Sequence, residues 1–183
     1  GFTQGPGGNA IPDTLVGIAA SGRTPYVLGA LAHAKSLHAL TIALTCVPNS
    51  EMAAIADISI APVPGPEVLT GSTRLKAGTA TKLVLNMLST AVMIRTGAVY
   101  SNLMVNVQPS NAKLLDRAHR IIMAATGVDQ PTAARLLAEA ESVKTAIAMQ
   151  KLSLTRAAAE AKLAAAKGSL AALISRNEKQ EKP

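Results

Sequence analysis

Aromatic residues are almost missing from this chain, and the shortage restricts both its core and its partners. They make up 2% of the 183 residues, and tryptophan is absent. A net charge of +7 is common among nucleic-acid-binding proteins, but here few side chains can stack on bases. We therefore interpret the basic residues, among them Arg156 and Lys162, as a solvated surface. The core is expected to be aliphatic, and no nucleic-acid partner is expected.

Cysteine is scarce too, and the single thiol excludes a disulfide within the chain. Cys46 follows the apolar segment 40–45, where a thiolate would be poorly stabilised, so we expect a buried structural thiol rather than a nucleophile. The lack of a disulfide framework and of a recognisable signal peptide predicts a cytoplasmic protein. The apolar run 83–94 contains polar residues and is shorter than a bilayer span, so no membrane partner is expected.

Apolar and helical segments alternate after a first stretch, residues 1–13, that is irregular and rich in glycine and proline. This alternation is typical of an α/β fold with a parallel sheet. A long helix is predicted at about 77–96, after the third strand. It carries apolar residues that we expect to be buried, namely Leu83, Leu85, Leu88, Val92 and Ile94. The predicted strands are Leu15–Ala19, Leu40–Cys46 and Ile58–Ala61, and the predicted helices are 24–35, 51–56 and about 77–96, with an extended segment at 99–106.

The texture changes after Pro109, where the sequence becomes rich in alanine and loses strand signals. We expect a compact subdomain of three or four helices there, and a charged flexible tail at 176–183. The α/β domain is accordingly placed at 14–110 and the helical subdomain at 111–175. Helices are predicted near 112–125, 131–140, 143–151, 154–166 and 168–175.

The turn after the first strand combines several groups suited to binding an anion. Hydroxyl groups, backbone N–H groups and the positive end of a helix opened by Pro25 meet there. We expect them to hold the phosphate of a small sugar phosphate, although a plain turn with a threonine cap would leave the same pattern. Arg23 either contacts the ligand or is solvated. The predicted binding residues of this turn are Ser21, Gly22, Arg23 and Thr24.

A second group of donors precedes the long helix. Lys76 and Arg74 add positive charge for a phosphate or carboxylate, unless both are simply solvated. Glu67 is the weak candidate for a catalytic base, which would need a raised pKa, and the alternative is a loop carboxylate paired with a lysine or arginine. The predicted binding residues of this loop are Thr70, Gly71, Ser72, Thr73 and Lys76.

Other catalytic patterns are missing from the sequence. No His, Cys, Asp or Glu spacing fits a metal site, and no Ser-His-Asp arrangement is present. The glycine-rich loops match neither a P-loop nor a dinucleotide fingerprint. Neither a metal nor an organic cofactor is expected.

Four stretches resemble the N-acetylmuramic acid 6-phosphate etherase family, which belongs to the sugar isomerase (SIS) domain superfamily. The resemblance covers about residues 14–175. It implies an SIS-type doubly wound parallel sheet, incomplete here, followed by a small all-α subdomain similar to ubiquitin-associated domains. The stretches are GIAASGRTPYV at 17–27, EVLTGSTRLKAGTA at 67–80, KLVLNMLST at 82–90 and NLMV at 102–105.

The resemblance also implies a reaction. The family cleaves the D-lactyl ether of N-acetylmuramic acid 6-phosphate by β-elimination and hydration, giving N-acetylglucosamine 6-phosphate and D-lactate. This carbon–oxygen lyase chemistry serves peptidoglycan recycling and uses no cofactor. The family further implies a homodimer with substrate sites near its interface.

The departures from the family are equally informative. Family members carry a further N-terminal stretch with a glycine-rich turn and the acid and base glutamates, whereas this chain has no glutamate before Glu51. The family's catalytic residues therefore cannot be placed here, and Asn106 stands where the family tends to have aspartate. Two alternatives remain open, a non-catalytic sugar-phosphate-binding module or regulator and a sugar-phosphate isomerase. An unpaired edge on the first strand is also expected, with marginal stability or association as its consequence.

Overall fold

The structure, a computed structural model, describes residues 13–180, so nearly all of the irregular segment expected at 1–13 lies outside the described residues. The chain forms two compact units that divide between Met87 and Leu88. This division lies earlier than the predicted change near residue 110, because the segment just before residue 110 packs on the helices that follow it. The predicted domains themselves stay a prediction.

The first unit is built on a parallel sheet, as predicted. Strands β1 (Thr14–Ile18), β2 (Leu40–Leu44) and β3 (Ile58–Ile60) lie in the order β1-β2-β3. Helices α1 (Pro25–Ser36) and α2 (Glu51–Ile55) connect them. Each strand ends one or two residues before its predicted end, because the last residues of each segment turn away at the carboxyl edge of the sheet.

One face of the sheet is covered by α1 and α2. Leu31, Ala43 and Met52 are fully buried there, one from each of α1, β2 and α2. Gly17 permits the close approach of α1, since a Cβ at this position would lie 2.8 Å from Cγ1 of Val27. Packing of these small and aliphatic residues holds the start of α1 beside the end of β1.

The opposite face of the sheet is apolar but only partly covered by the described residues. Strand side chains alternate between faces, and the register places Val16 beside Ile42 and Ile58. Ile18 and Ile58 remain 43% and 45% exposed. Within residues 13–180, β1 pairs with β2 alone, so the expected open edge is present.

Helix α3 (Lys76–Arg95) corrects one expectation. Its apolar side chains were expected to be buried, yet Leu83 and Ile94 are 56% and 55% exposed, and only Ala77 and Val84 are buried. The apolar pattern of the helix predicts a buried face, but the described part of the chain offers little surface to cover these residues. By length and composition α3 is also the one helix among the described residues that is apolar enough to cross a membrane.

Up to residue 180, the second unit contains the end of α3, a short hairpin and five further helices, and these five share an aliphatic core. The most deeply buried side chains include Ile122, Ile147, Leu170 and Val105. Each of these five helices was predicted by position. The compact helical subdomain, however, was expected to contain only three or four of them. The elements are β4 (Val99–Tyr100), β5 (Leu103–Met104), α4 (Ala112–Thr126), α5 (Gln130–Ala140), α6 (Val143–Leu152), α7 (Arg156–Ala165) and α8 (Leu170–Gln180).

One expectation for this unit, the flexible tail, needs correction. The tail expected to be flexible from residue 176 is helical to Gln180, because no glycine or proline interrupts residues 169–182. Arg156, expected on a solvated face, bridges Glu141 at 2.9 Å and Glu160 at 2.8 Å, which ties α7 to the end of α5. These two carboxylates raise the pKa of Arg156 above its usual value.

Candidate functional site

The turn that follows β1 is fixed by Gly22. Its N–H donates to the carbonyl of Ala19 at 3.0 Å, and its φ of +68° is a conformation that favours glycine. A Cβ at Gly22 would overlap the side chain of Ser50 and lie 2.7 Å from Oγ1 of Thr45. Any larger residue would therefore force the turn away from the sheet edge.

Hydrogen bonds from neighbouring segments hold this turn in place. Cys46 N–H donates to the carbonyl of Ala20 at 2.9 Å, and Met52 N–H donates to the carbonyl of Gly22 at 2.9 Å. The Thr45 hydroxyl lies 3.3 Å from the Ala20 carbonyl and donates to it. Ser21 stays exposed in this supported turn.

Thr45 and Ser50 were not predicted from the sequence. Both are buried, and Ser50 also caps α2 by accepting from Ala53 N–H at 3.3 Å. The available signal was their position, since one follows β2 and the other precedes α2 at the same sheet edge as the turn. Both buried side chains lie against the turn, where a Cβ on Gly22 would meet them.

Thr24 is the N-cap residue of α1, as expected, but its side chain does not cap the helix. Thr24 is extended and precedes Pro25, but its side chain makes no capping hydrogen bond. Its hydroxyl therefore does not satisfy the first turn of α1, as a plain threonine cap would. Arg23 and Thr24 are both exposed beside Ser21, so the positive end of the helix dipole faces accessible space.

Glu67 closes the second loop as a cap of α3. Its two carboxylate oxygens accept from Lys76 N–H at 2.8 Å and from Ala77 N–H at 3.0 Å. These backbone hydrogen bonds, with the nearby Lys76 and Arg74 charges, lower the pKa of Glu67 below its usual value. A carboxylate held ionised in this way is a weak base. Its partners are mainly backbone amides rather than the cationic side chain that the alternative interpretation expected.

A cavity of about 360 Å³ brings three of the predicted residues together. Ser21 comes from the turn after β1, while Glu67 and Thr73 come from the loop before α3. Cys46 also lines it, half-buried rather than fully buried, with its Sγ 3.9 Å from the carbonyl oxygen of Ala77. The remaining lining residues are Ala20, Val47, Val63, Pro64, Gly65, Pro66 and Ala77.

The other predicted residues take different places. Gly22, Arg23 and Thr24 lie beside the cavity in the turn, and Lys76 lines a neighbouring cavity of about 620 Å³ together with Arg74. His119 lines a separate cavity of about 430 Å³ in the helical unit. The loop residues Thr70, Gly71 and Ser72 form tight turns before Thr73, with Ser72 N–H donating to the carbonyl of Leu69 at 3.0 Å.

The amino end of the sheet carries an ionic cluster that sequence reasoning did not identify. Asp57 accepts from the Thr41 N–H at 2.9 Å and the Thr41 hydroxyl at 2.7 Å, and it pairs with Lys35 at 3.1 Å. These contacts, the Thr41 bonds first, lower the pKa of Asp57 from 3.8 to about 2. Because the cluster lies where β2 and β3 begin, it braces the sheet away from the cavity.

Comparison with known proteins agrees with this geometry. The family model described as the SIS domain matches residues 12–91, which include the turn after β1, the loop before α3 and most of α3. Among residues 13–180 no group of three or more His, Cys, Asp or Glu side chains is arranged to hold a metal ion.

Several curated relatives are 55–62% identical to this chain over most of its length. N-acetylmuramic acid 6-phosphate etherase from Aeromonas hydrophila is 55% identical over 157 residues, covering 85% of this chain and 53% of the relative. The etherase from Rhizobium rhizogenes is 62% identical over 139 residues, covering 75% of this chain and 45% of the relative. That from Clostridium botulinum is 58% identical over 145 residues, covering 79% and 48%.

The chain thus spans about half the length of the curated relatives it matches. Its fold is the α/β arrangement of an SIS domain with helices after it, and its turn and loop motifs lie within the matched region. On the strength of this fold and of 55–62% identity, the chain belongs to the SIS domain superfamily and, within it, to the N-acetylmuramic acid 6-phosphate etherase family.

Proposed function

We propose that this chain binds the phosphate group of N-acetylmuramic acid 6-phosphate and supplies the phosphate-binding part of an etherase. The observation that carries the proposal is the cavity joining Ser21 to Thr73, inside a region that matches the SIS domain. Ser21, Thr24 and Thr73 offer hydroxyl donors, Gly22 lets the backbone approach, and the α1 dipole favours an anion. Arg23, Thr70, Gly71 and Ser72 complete the proposed phosphate-binding set, and Lys76 is proposed to bind the substrate from the neighbouring cavity.

The reaction that these residues would serve is elimination followed by hydration. A base takes the proton from C2 while the C3–O bond to lactate breaks, and a C2–C3 double bond forms. Water then returns its hydroxyl to C3 and a proton to C2. Anchoring the remote phosphate holds C2 and C3 in a fixed position, which is how binding energy serves a step that the anchor does not touch.

The acid and base are not assigned to residues of this chain. Glu67 lines the cavity, but two amide hydrogen bonds and a lowered pKa make it a poor proton acceptor. We propose that the carboxylates of a carbon–oxygen lyase of this family belong to the other half of the relatives' length. The isolated chain is then expected to bind ligand and to release little or no lactate.

The cellular setting follows from the same proposal. We propose a cytoplasmic homodimer acting on a sugar phosphate, without metal, organic cofactor or nucleic acid. A membrane role for α3 is disfavoured by Lys82, Asn86 and Ser89, which lie in its middle. The exposed apolar residues of α3 are better explained as a surface for protein contact.

A non-catalytic sugar-phosphate-binding module is the second candidate. The observation in its favour is that Glu67 is the one carboxylate lining the cavity in the described part of the chain, and it is already engaged. Such a module binds the same ligands and releases no lactate even when the other half of an etherase is added.

Lactate release and ligand binding measured together test the proposal. The chain is mixed with N-acetylmuramic acid 6-phosphate, alone and with the other half of an etherase relative, and D-lactate and thermal stability are followed. We expect ligand-dependent stabilisation from the chain alone and lactate only from the mixture. Ser21→Ala should weaken binding about tenfold, as loss of a charge-assisted hydrogen bond does, while Ser110→Ala in an exposed loop should not. Absence of any stabilisation by the phosphorylated sugar would contradict the proposal.

A further inference from the structure

A second cavity adjoins the first and carries positive charge. Its volume is about 620 Å³, and its lining combines the cations Arg74 and Lys76 with a mainly apolar surface. Pro64 lines both cavities, so one wall separates them. The other lining residues are Leu75, Thr79, Ala80 and Leu83.

The short segment 73–77 lines both cavities, with different residues facing each one. Thr73 and Ala77 line the first cavity, whereas the residues between them, 74–76, line the second. The two cationic residues therefore line a different space from the one that Ser21 lines. An anion bound in the first cavity leaves these two charges unused.

The two cations are not neutralised by an ion pair in the described part of the chain. Among residues 13–180 neither Arg74 nor Lys76 forms an ion pair. The Glu67 carboxylate feels the charge of both cations, and its two oxygens are occupied by the Lys76 and Ala77 amides. The guanidinium of Arg74 thus keeps its forked pair of donors for a planar carboxylate.

The proposed substrate carries an anion that the first cavity does not explain. In a 3-O-lactyl hexosamine 6-phosphate, the carboxylate is carried on O3 and the phosphate on C6, so the two anions are attached at ring carbons C3 and C5, with C4 between them. Two anions held apart in this way need two separate sites. The lactyl group also has a methyl, and Ala80 and Leu83 supply apolar surface in the second cavity beside the cations.

We propose that Arg74 and Lys76 form a subsite for the lactyl carboxylate, with Ala80 and Leu83 against its methyl group. This inference rests on the proposed function, because it takes the phosphate to lie in the first cavity. The subsite would distinguish the etherase substrate from its sugar-phosphate product, which has no carboxylate at C3.

Four ligands test the subsite by separating the two anions. They are N-acetylmuramic acid 6-phosphate, N-acetylglucosamine 6-phosphate, N-acetylmuramic acid and N-acetylglucosamine, each titrated calorimetrically into the full chain. Arg74→Gln and Lys76→Gln should each weaken binding of the two lactyl ligands about tenfold and leave N-acetylglucosamine 6-phosphate unchanged. Ser21→Ala should weaken the two phosphorylated ligands instead. Lys76→Arg should restore the lactyl preference.

Matched controls and contrary results complete the design. Arg95→Gln and Lys82→Gln remove the same charges from α3 outside the cavity and should change nothing. Equal wild-type affinity for the two phosphorylated sugars would overturn the subsite while leaving the proposed function intact. A loss of N-acetylglucosamine 6-phosphate binding in Arg74→Gln would show that the cation holds phosphate, which also overturns the subsite. If neither phosphorylated sugar binds the wild type, the proposed function and the subsite both fail.

Discussion

The helical unit and the α/β unit treat apolar residues in opposite ways. The helices bury aliphatic side chains from every one of α4–α7 and from Leu170 in α8 in one cluster. The cluster between α1, α2 and the sheet has only Leu31, Ala43 and Met52 as its buried members, while Ile18 and Ile58 remain exposed on the other face. One unit is closed upon itself, whereas the other presents surface that its own described residues do not cover.

Local signals explain why the helical unit is self-sufficient. Asn111, Asp129, Ser142 and Thr155 each cap a helix by accepting from a backbone N–H of its first turn. Gly127 ends α4 in the left-handed conformation. Because each helix begins and ends at residues that satisfy its own backbone, its bounds depend little on the rest of the protein.

The largest expected effect comes from opening the helical core. Ile147 is fully buried in α6, so Ile147→Ala should lower the free energy of unfolding by about 2–5 kcal/mol. Ile94→Ala on the exposed part of α3 is the matched control and should cost much less. Urea titration followed by circular dichroism checks both variants, and equal losses would contradict the contrast between the buried helical core and exposed α3.

The next effect concerns the turn of the α/β unit. Gly22→Ala introduces a Cβ that overlaps Ser50 and forces alanine into a left-handed conformation, a strain of about 1–3 kcal/mol before the overlap is counted. The control is Gly29→Ala, where a Cβ meets nothing within 4 Å and α1 should gain about 0.5–1 kcal/mol. Thermal unfolding and sugar-phosphate binding are measured together. A Gly22→Ala chain that binds like the wild type would show that the turn does not shape the site.

The smallest expected effect is a pH dependence of the free energy of unfolding that comes from Asp57, at the amino end of the sheet. The pKa of Asp57 is about 2 in the folded chain and 3.8 as its ordinary value, so its contribution to stability is complete above the higher value. That contribution is lost as the pH falls towards the lower value. Wild-type and Asp57→Asn chains are compared by urea unfolding at about pH 5 and about pH 2.5.

The difference between those two chains isolates Asp57, because other carboxylates such as Glu67 and Asp129 also have lowered pKa values. We expect the wild type to have a higher free energy of unfolding than Asp57→Asn at the higher pH. The difference between the two chains should narrow at the lower pH. A constant gap would indicate that Thr41 and Lys35 brace the sheet without preferring the ionised carboxylate.

The sequence allowed the order and type of the elements to be predicted because breakers and caps act locally. Pro25, Gly127 and Asp129 set helix ends wherever the helices pack. Burial of α3 was mispredicted because an apolar pattern does not identify the surface that covers it. The hydrogen bond from the Thr45 hydroxyl to the Ala20 carbonyl joins residues far apart in sequence, and only the folded sheet reveals it.

The candidate site was predicted in its parts but not in its arrangement. Ser21, Thr73 and Glu67 were each singled out by residue type, and the fold places them around one cavity. Their chemistry depended on orientation, as Glu67 demonstrates. A carboxylate beside a binding loop has the composition of a base, but its direction towards two amides makes it a cap. Residue spacing carries no information about that direction.

The cap made by Glu67 also closes a ring of backbone. The chain from Glu67 to Lys76 is joined at its ends by the carboxylate and the first amides of α3, with Thr73 and Arg74 inside the ring. The entropy of ordering this segment is therefore spent when the protein folds, before any ligand arrives. Because this ordered segment lines both cavities, the proposed binding of a sugar phosphate would not have to order it.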